Sequence, residues 1–106
     1  MAKYMLRASY NAEGTKGLIQ DGGVKRRDAA EALIKSLGGT MECFYYALGD
    51  DDAFVVVDVP DTTSLVAASL AVGASGVVTT STTPLFTAEE MDDATKKAPS
   101  YTPPGK

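Results

Sequence analysis

Residues 40–61 read T-M-E-C-F-Y-Y-A-L-G-D-D-D-A-F-V-V-V-D-V-P-D, and they decide the fold. Thr40 to Leu48 is rich in aromatic residues, which suit a pleated, half-buried surface. Ala53 to Val59 is a valine-rich run suited to the centre of a sheet. Gly49-Asp50-Asp51 between them is turn chemistry, so the stretch is two strands joined by a turn. Pro60 closes the pair. Asp61 then opens a helix, because its carboxylate accepts from the free N–H groups of the first turn.

The pattern extends in both directions. Upstream, Ala30, Leu33, Ile34 and Leu37 form one apolar stripe at helical spacing, predicting a helix over residues 25–37 that Gly38-Gly39 stops. Asn11 to Gly23 carries Gly14, Gly17, Gly22 and Gly23 and reads as a loop, with at most a short helical turn around Leu18. Tyr4 to Tyr10 alternates with a period of two, which is a strand. Downstream, Leu65, Ala68, Ala71 and Val72 mark the core stripe of a second helix, ended by Gly73 or Gly76. Val77 to Thr83 is β-branched, and Pro84 demotes its end to a sheet edge. Thr87 and Glu90 spell a capping box for a short third helix through about residue 97. Residues 98–106 hold three prolines and read as an extended tail. The order β-α-β-β-α-β is the ferredoxin-like plan: an α+β domain with an antiparallel sheet and helices on one face.

Composition bounds the function. The chain of 106 residues is one domain. A chain this size buries about two-thirds of its unfolded surface, so association with a second copy would supplement a thin core. The net charge of -4 argues against nucleic acid as partner, since that needs a basic patch. Cys43 is the single cysteine, which fits a reducing compartment. No segment has the length of a membrane span or the apolar run of a signal peptide, so the expected location is cytoplasmic. Histidine is absent, removing the commonest general base and metal ligand.

The sheet's second face is informative. With Tyr4, Leu6, Ala8, Val55, Val57 and Val59 assigned to the helix side, the other side carries Met5, Arg7, Phe54, Val56 and Asp58. That face is too apolar to be wholly solvated and too polar to be plain core, a mark of an interface or pocket. The favoured expectation is pairing with a second subunit around a shared, barrel-like interior. The competing one is a sheet face touched by the C-terminal segment alone.

Several segments together resemble the GYD-domain family of small bacterial and archaeal proteins: K-Y-M-L-R-A-S-Y, K-G-L-I-Q-D-G-G, A-L-I-K-S-L-G-G, C-F-Y-Y-A-L-G and A-S-G-V-V-T-T-S-T-T-P-L-F-T-A-E-E-M. K-K-A-P-S-Y-T-P-P-G belongs to the same likeness, which covers nearly the whole chain. The namesake Gly-x-Tyr-Asp turn here reads Gly49-Asp50-Asp51-Asp52: glycine and final aspartate match, and Asp51 replaces the tyrosine. The resemblance implies a ferredoxin-like, dimeric α+β-barrel relative of largely unassigned function. It supplies no catalytic residues to carry over.

Candidate chemistry is sparse. Three adjacent aspartates at 50–52 suit a hard cation in type, but neighbours on a tight turn point apart; a solvated turn anchored by Asp52 bonding its own backbone is favoured. Lys25, Arg26 and Arg27 follow Gly22-Gly23 at a helix start, where backbone N–H groups and cations suit a carboxylate or phosphate. The alternative is surface charge answered by Asp21, Asp28 and Glu31. Tyr10 and Tyr46 offer phenols to a pocket, or serve as core. Arg7 is expected to pair with Asp58 or Glu42, structurally or to orient a ligand. Cys43 is read as a small core residue.

Two functions follow. One is a homo-oligomeric binding or assembly module with a small anionic or organic ligand, needing no cofactor or metal. The other is a cofactor-independent enzyme using Arg7, Tyr10 or Tyr46 on a small substrate between the sheets. The missing histidine favours the first.

Overall fold

The valine-rich run at the heart of the quoted stretch becomes the most deeply covered strand. Val57 and Val59 are fully buried, and with Ile34, Leu65 and Ala68 they make the core cluster. Full burial of such a side chain is worth about 1.5–3 kcal/mol. The computed structural model describes residues 2–106. Its elements are β1 (Ala2–Tyr10), α1 (Ala12–Asp21), α2 (Gly23–Ser36), β2 (Thr40–Tyr46), β3 (Ala53–Val59), α3 (Thr62–Ala74), β4 (Val78–Leu85) and α4 (Ala88–Thr95).

The four strands form one antiparallel sheet in the order β2-β3-β1-β4. This is the expected α+β, ferredoxin-like arrangement with two helices added to the frame. β2 and β4 are outer strands, so the sheet is open and closes no barrel within one chain. Pro84 sits on the outer strand β4, where its missing N–H costs no ladder bond. Among the described residues, no helix is long and apolar enough to cross a membrane.

The caps follow the sequence at both ends. Ser64 N–H donates to Asp61 Oδ1 at 2.7 Å, starting α3. Thr87 and Glu90 form both bonds of the capping box, starting α4. α2 ends in a left-handed Gly38 (φ 78°), with Gly38 N–H bonded to the Lys35 carbonyl and Gly39 N–H to the Ile34 carbonyl.

Residues 11–23 depart from the predicted loop and form helix α1. Asn11 caps it, accepting from Gly14 N–H at 2.9 Å while its own amide donates to the Gly76 carbonyl at 2.8 Å. Gly14 is not a breaker but a contact point. A Cβ there would lie 2.6 Å from the Val77 carbonyl oxygen.

A second departure concerns Cys43. The β2–β3 register shifts between Met41 and Cys43, a bulge at Glu42. The shift changes which face each later residue uses. Met41 opposes Val57 on the helix side, whereas Cys43 opposes Val56 on the open face, half-buried and outside the core.

The last segment stands apart. α4 buries no residue and makes no extensive contact with another element. The radius of gyration is 17.0 Å, against about 13 Å for a compact domain of this length.

Candidate functional site

The helix layer does not close over the sheet. α2 packs mainly on the outer strand β2, and α3 mainly on the other outer strand β4. The two central strands, β3 and β1, therefore floor a cleft between the helices. Small residues keep it open: Ala8 and Ala53 on the floor, Ala29, Ala30 and Ala68 on the walls. The resulting cavity measures about 160 Å³. A cavity of about 150 Å³ suffices for a benzene-sized guest.

Its lining is apolar at depth, with Leu6, Val57, Leu33, Ile34 and Val72. Tyr10, Arg26 and Thr80 are the lining residues with polar side-chain atoms. They stand toward one end. Tyr10 ends β1 and opposes Val78 in β4; Thr80 is two residues on; Arg26 lies in the first turn of α2. Arg26 and Ala29 are solvent-accessible there, which marks the mouth.

Two anchors fix this end. Tyr46 Oη donates to the Gly23 carbonyl at 2.8 Å, and its ring lies so close that a Cβ on Gly23 would meet it at 3.0 Å. Phe44 packs edge-on against Tyr46, centroids 5.0 Å apart. This ties the start of α2 to the edge strand β2. Asp52 Oδ2 accepts from the backbone N–H of Tyr10 at 2.8 Å, tying the turn to the end of β1.

The electrostatics make the mouth a donor site. Burial raises the pKa of Tyr10, against a lowering by Arg26 and alongside a raising by Asp52. Burial also raises that of Tyr46, with Tyr10 adding to it and Arg26 and Arg27 opposing. Both phenols thus stay protonated at neutral pH. Among the described residues, the Arg26 guanidinium has one loose partner, Asp21 Oδ2 at 3.7 Å. An incoming carboxylate would displace little to reach it.

The structure brings together Tyr10, Tyr46 and Arg26 from the residues singled out in the sequence. Arg27 turns away, pairing with Asp28 at 3.2 Å. Arg7 and Asp58 lie on the opposite face of the sheet, and they do not pair. Lys3 takes both Asp58 (3.2 Å) and Glu42, while Arg7 donates to Ser81 Oγ at 3.2 Å. The register explains this: Asp58 opposes Lys3, and Arg7, four residues along, opposes Phe54 and Ser81.

At the turn, Asp52 bonds β1 rather than its own backbone, correcting the expected self-capped turn. Asp51, standing where the namesake tyrosine would be, accepts from Ser9 Oγ at 3.3 Å. Among the described residues, no three acidic or thiol side chains converge as metal ligands would. The cavity itself escaped the sequence reading. Its available signal was the run of inward-facing alanines at 8, 30, 53 and 68.

No curated protein and no solved structure matches the chain. A family model does: the GYD domain aligns with residues 4–95, from β1 through the last residue of α4. The match takes in the Gly49–Asp52 turn and every element around the cavity, and the chain belongs to the GYD-domain family.

Proposed function

We propose that this protein is a small-molecule-binding module whose site is the cleft between α2, α3 and the central strands. The carrying observation is the apolar cavity of about 160 Å³ with the Arg26 guanidinium and the Tyr10 phenol at one end. Apolar walls with a few convergent polar groups are the usual make-up of a ligand pocket. The volume selects a ligand of benzene to small-ring size. The two donors select a carboxylate or another anionic head, held by a charge-assisted bond from Arg26.

The enzyme reading has less support. The lining residues comprise aliphatic side chains, Phe44, Thr80, Tyr10 and Arg26, and include no carboxylate or imidazole to serve as a general base. We further propose that the module works as a homo-oligomer paired through the open sheet face. Met5, Phe54 and Val56 are half-buried there, and Tyr45 is 67% exposed.

A thermal-shift series with benzoate, phenylacetate and cyclohexanecarboxylate tests the binding. A ligand that prefers the folded state raises the melting point, by the equivalent of about 2.7 kcal/mol at a hundredfold excess over Kd. The expected result is a rise with at least one of them, lost in Arg26→Gln. No shift with any carboxylate would overturn the reading.

A further inference from the structure

Residues 88–106 are exposed throughout. Among the described residues, the hydrogen bonds of the segment from Phe86 onward all close within it. Yet it holds a capped helix of eight residues. Isolated helices shorter than about 12–15 residues are marginal in water, so α4 needs a surface to rest on. Its apolar groups are laid bare for one: Phe86 is 61% exposed and Tyr101 75%.

We infer that this arm, Phe86 to Lys106, seats on the open sheet face of a second copy, the two copies exchanging arms. Three observations carry it. The open face has apolar groups left without full cover within one chain, Met5, Phe54 and Val56 half-buried and Tyr45 67% exposed, which an apolar arm would cover.

The face also carries a cation with no ionic partner among the described residues. Arg7 has Ser81 as its one hydrogen-bond partner there, whereas Asp58 is answered by Lys3 at 3.2 Å. The arm offers the complement to Arg7 in sequence: Glu89, Glu90, Asp92 and Asp93.

Finally, the arm heads away from its own body. It leaves β4 at Leu85 through an extended Thr87 (φ -75°, ψ 166°), makes no extensive contact with another element, and the molecule reaches 57 Å along its long axis. The inference rests on the pairing proposed above and adds what completes it.

The native Cys43 on the open face makes the test direct. Full-length Met91→Cys/Cys43→Ser, with its only thiol in the arm, is mixed with isotope-labelled wild type and treated with a short bismaleimide. The expected product joins the arm thiol of the unlabelled variant to Cys43 of a labelled wild-type chain, mapped by mass spectrometry. Sedimentation equilibrium of Phe86→Ser should show a dimer dissociation constant raised about tenfold or more, with an unchanged far-UV spectrum. An arm thiol left unlinked, with unchanged dimer affinity in Phe86→Ser, would overturn the arm's role and leave sheet pairing standing. A link formed only within single chains of Met91→Cys that retain Cys43 would place the arm on its own face and overturn the exchange. A monomeric wild type would overturn both.

Discussion

The carboxylate of Asp52 accepts a 2.8 Å hydrogen bond from the backbone N–H of Tyr10. The Asp52 N–H in turn donates to the Ala8 carbonyl, and its carbonyl accepts from Ala47 N–H, each at 2.8 Å. One residue therefore pins the β2–β3 turn to the end of β1, where the phenol at the cavity mouth begins. Hydrogen bonds to charged groups contribute about 1.5–3 kcal/mol. Asp52→Ala should lower the free energy of unfolding by about that amount in a urea titration. Asp52→Asn should lose less, because its amide oxygen still accepts.

The two interior glycines of α1 should respond oppositely to alanine. At Gly14 the added Cβ lies 2.6 Å from a backbone oxygen, and overpacking of that kind costs about 1–3 kcal/mol. At Gly17 a Cβ meets nothing within 4 Å. There alanine should gain up to about 1 kcal/mol of helix propensity. Melting temperatures of the pair check both signs together.

Filling the cleft should exchange binding for stability. Ala30→Leu places a larger apolar side chain in the cavity, and cavity filling commonly gains about 0.5–2 kcal/mol. The same variant should abolish the thermal response to carboxylates. A variant that is stabilised yet still binds would place the ligand elsewhere.

Stability should be lost at both pH extremes. Tyr10 and Tyr46 have folded pKa values above the ordinary 10.0, chiefly through burial. Their contribution is full below pH 10.0 and fades as pH rises through the folded values. The backbone N–H of Ser64 holds Asp61 below its ordinary 3.8. Its contribution is full above pH 3.8 and fades as pH falls through the lowered value. Urea midpoints across the pH range should be flat between these limits. Tyr10→Phe should soften the alkaline decline, and Asp61→Ala the acid one.

Local chemistry was legible wherever one residue decides one element. Asp61 and the Thr87–Glu90 pair announced their helices, and alternation placed Leu6, Ala8, Val55 and Val57 on the helix side. Reading failed where a tertiary contact decides. Gly14 looked like a breaker because its reason, the close passage of Val77, lies across the fold. The bulge at Glu42 turned Cys43 outward although the alternation around it is unremarkable in sequence. The salt-bridge partner of Asp58 followed from register, which periodicity leaves open. The cleft depends on where α2 and α3 rest, and only its alanines leave a trace in the sequence.

The most direct test of the binding account is a methyl-resolved NMR titration of the full-length protein with phenylacetate and benzoate. The account predicts saturable shifts of the Ala8, Ala30, Ala53 and Val55 methyls, weakened in Arg26→Gln, with the outward-facing Val66 and Leu70 of α3 unmoved. Shifts confined to Val66 and Leu70, or none with either carboxylate, would contradict it.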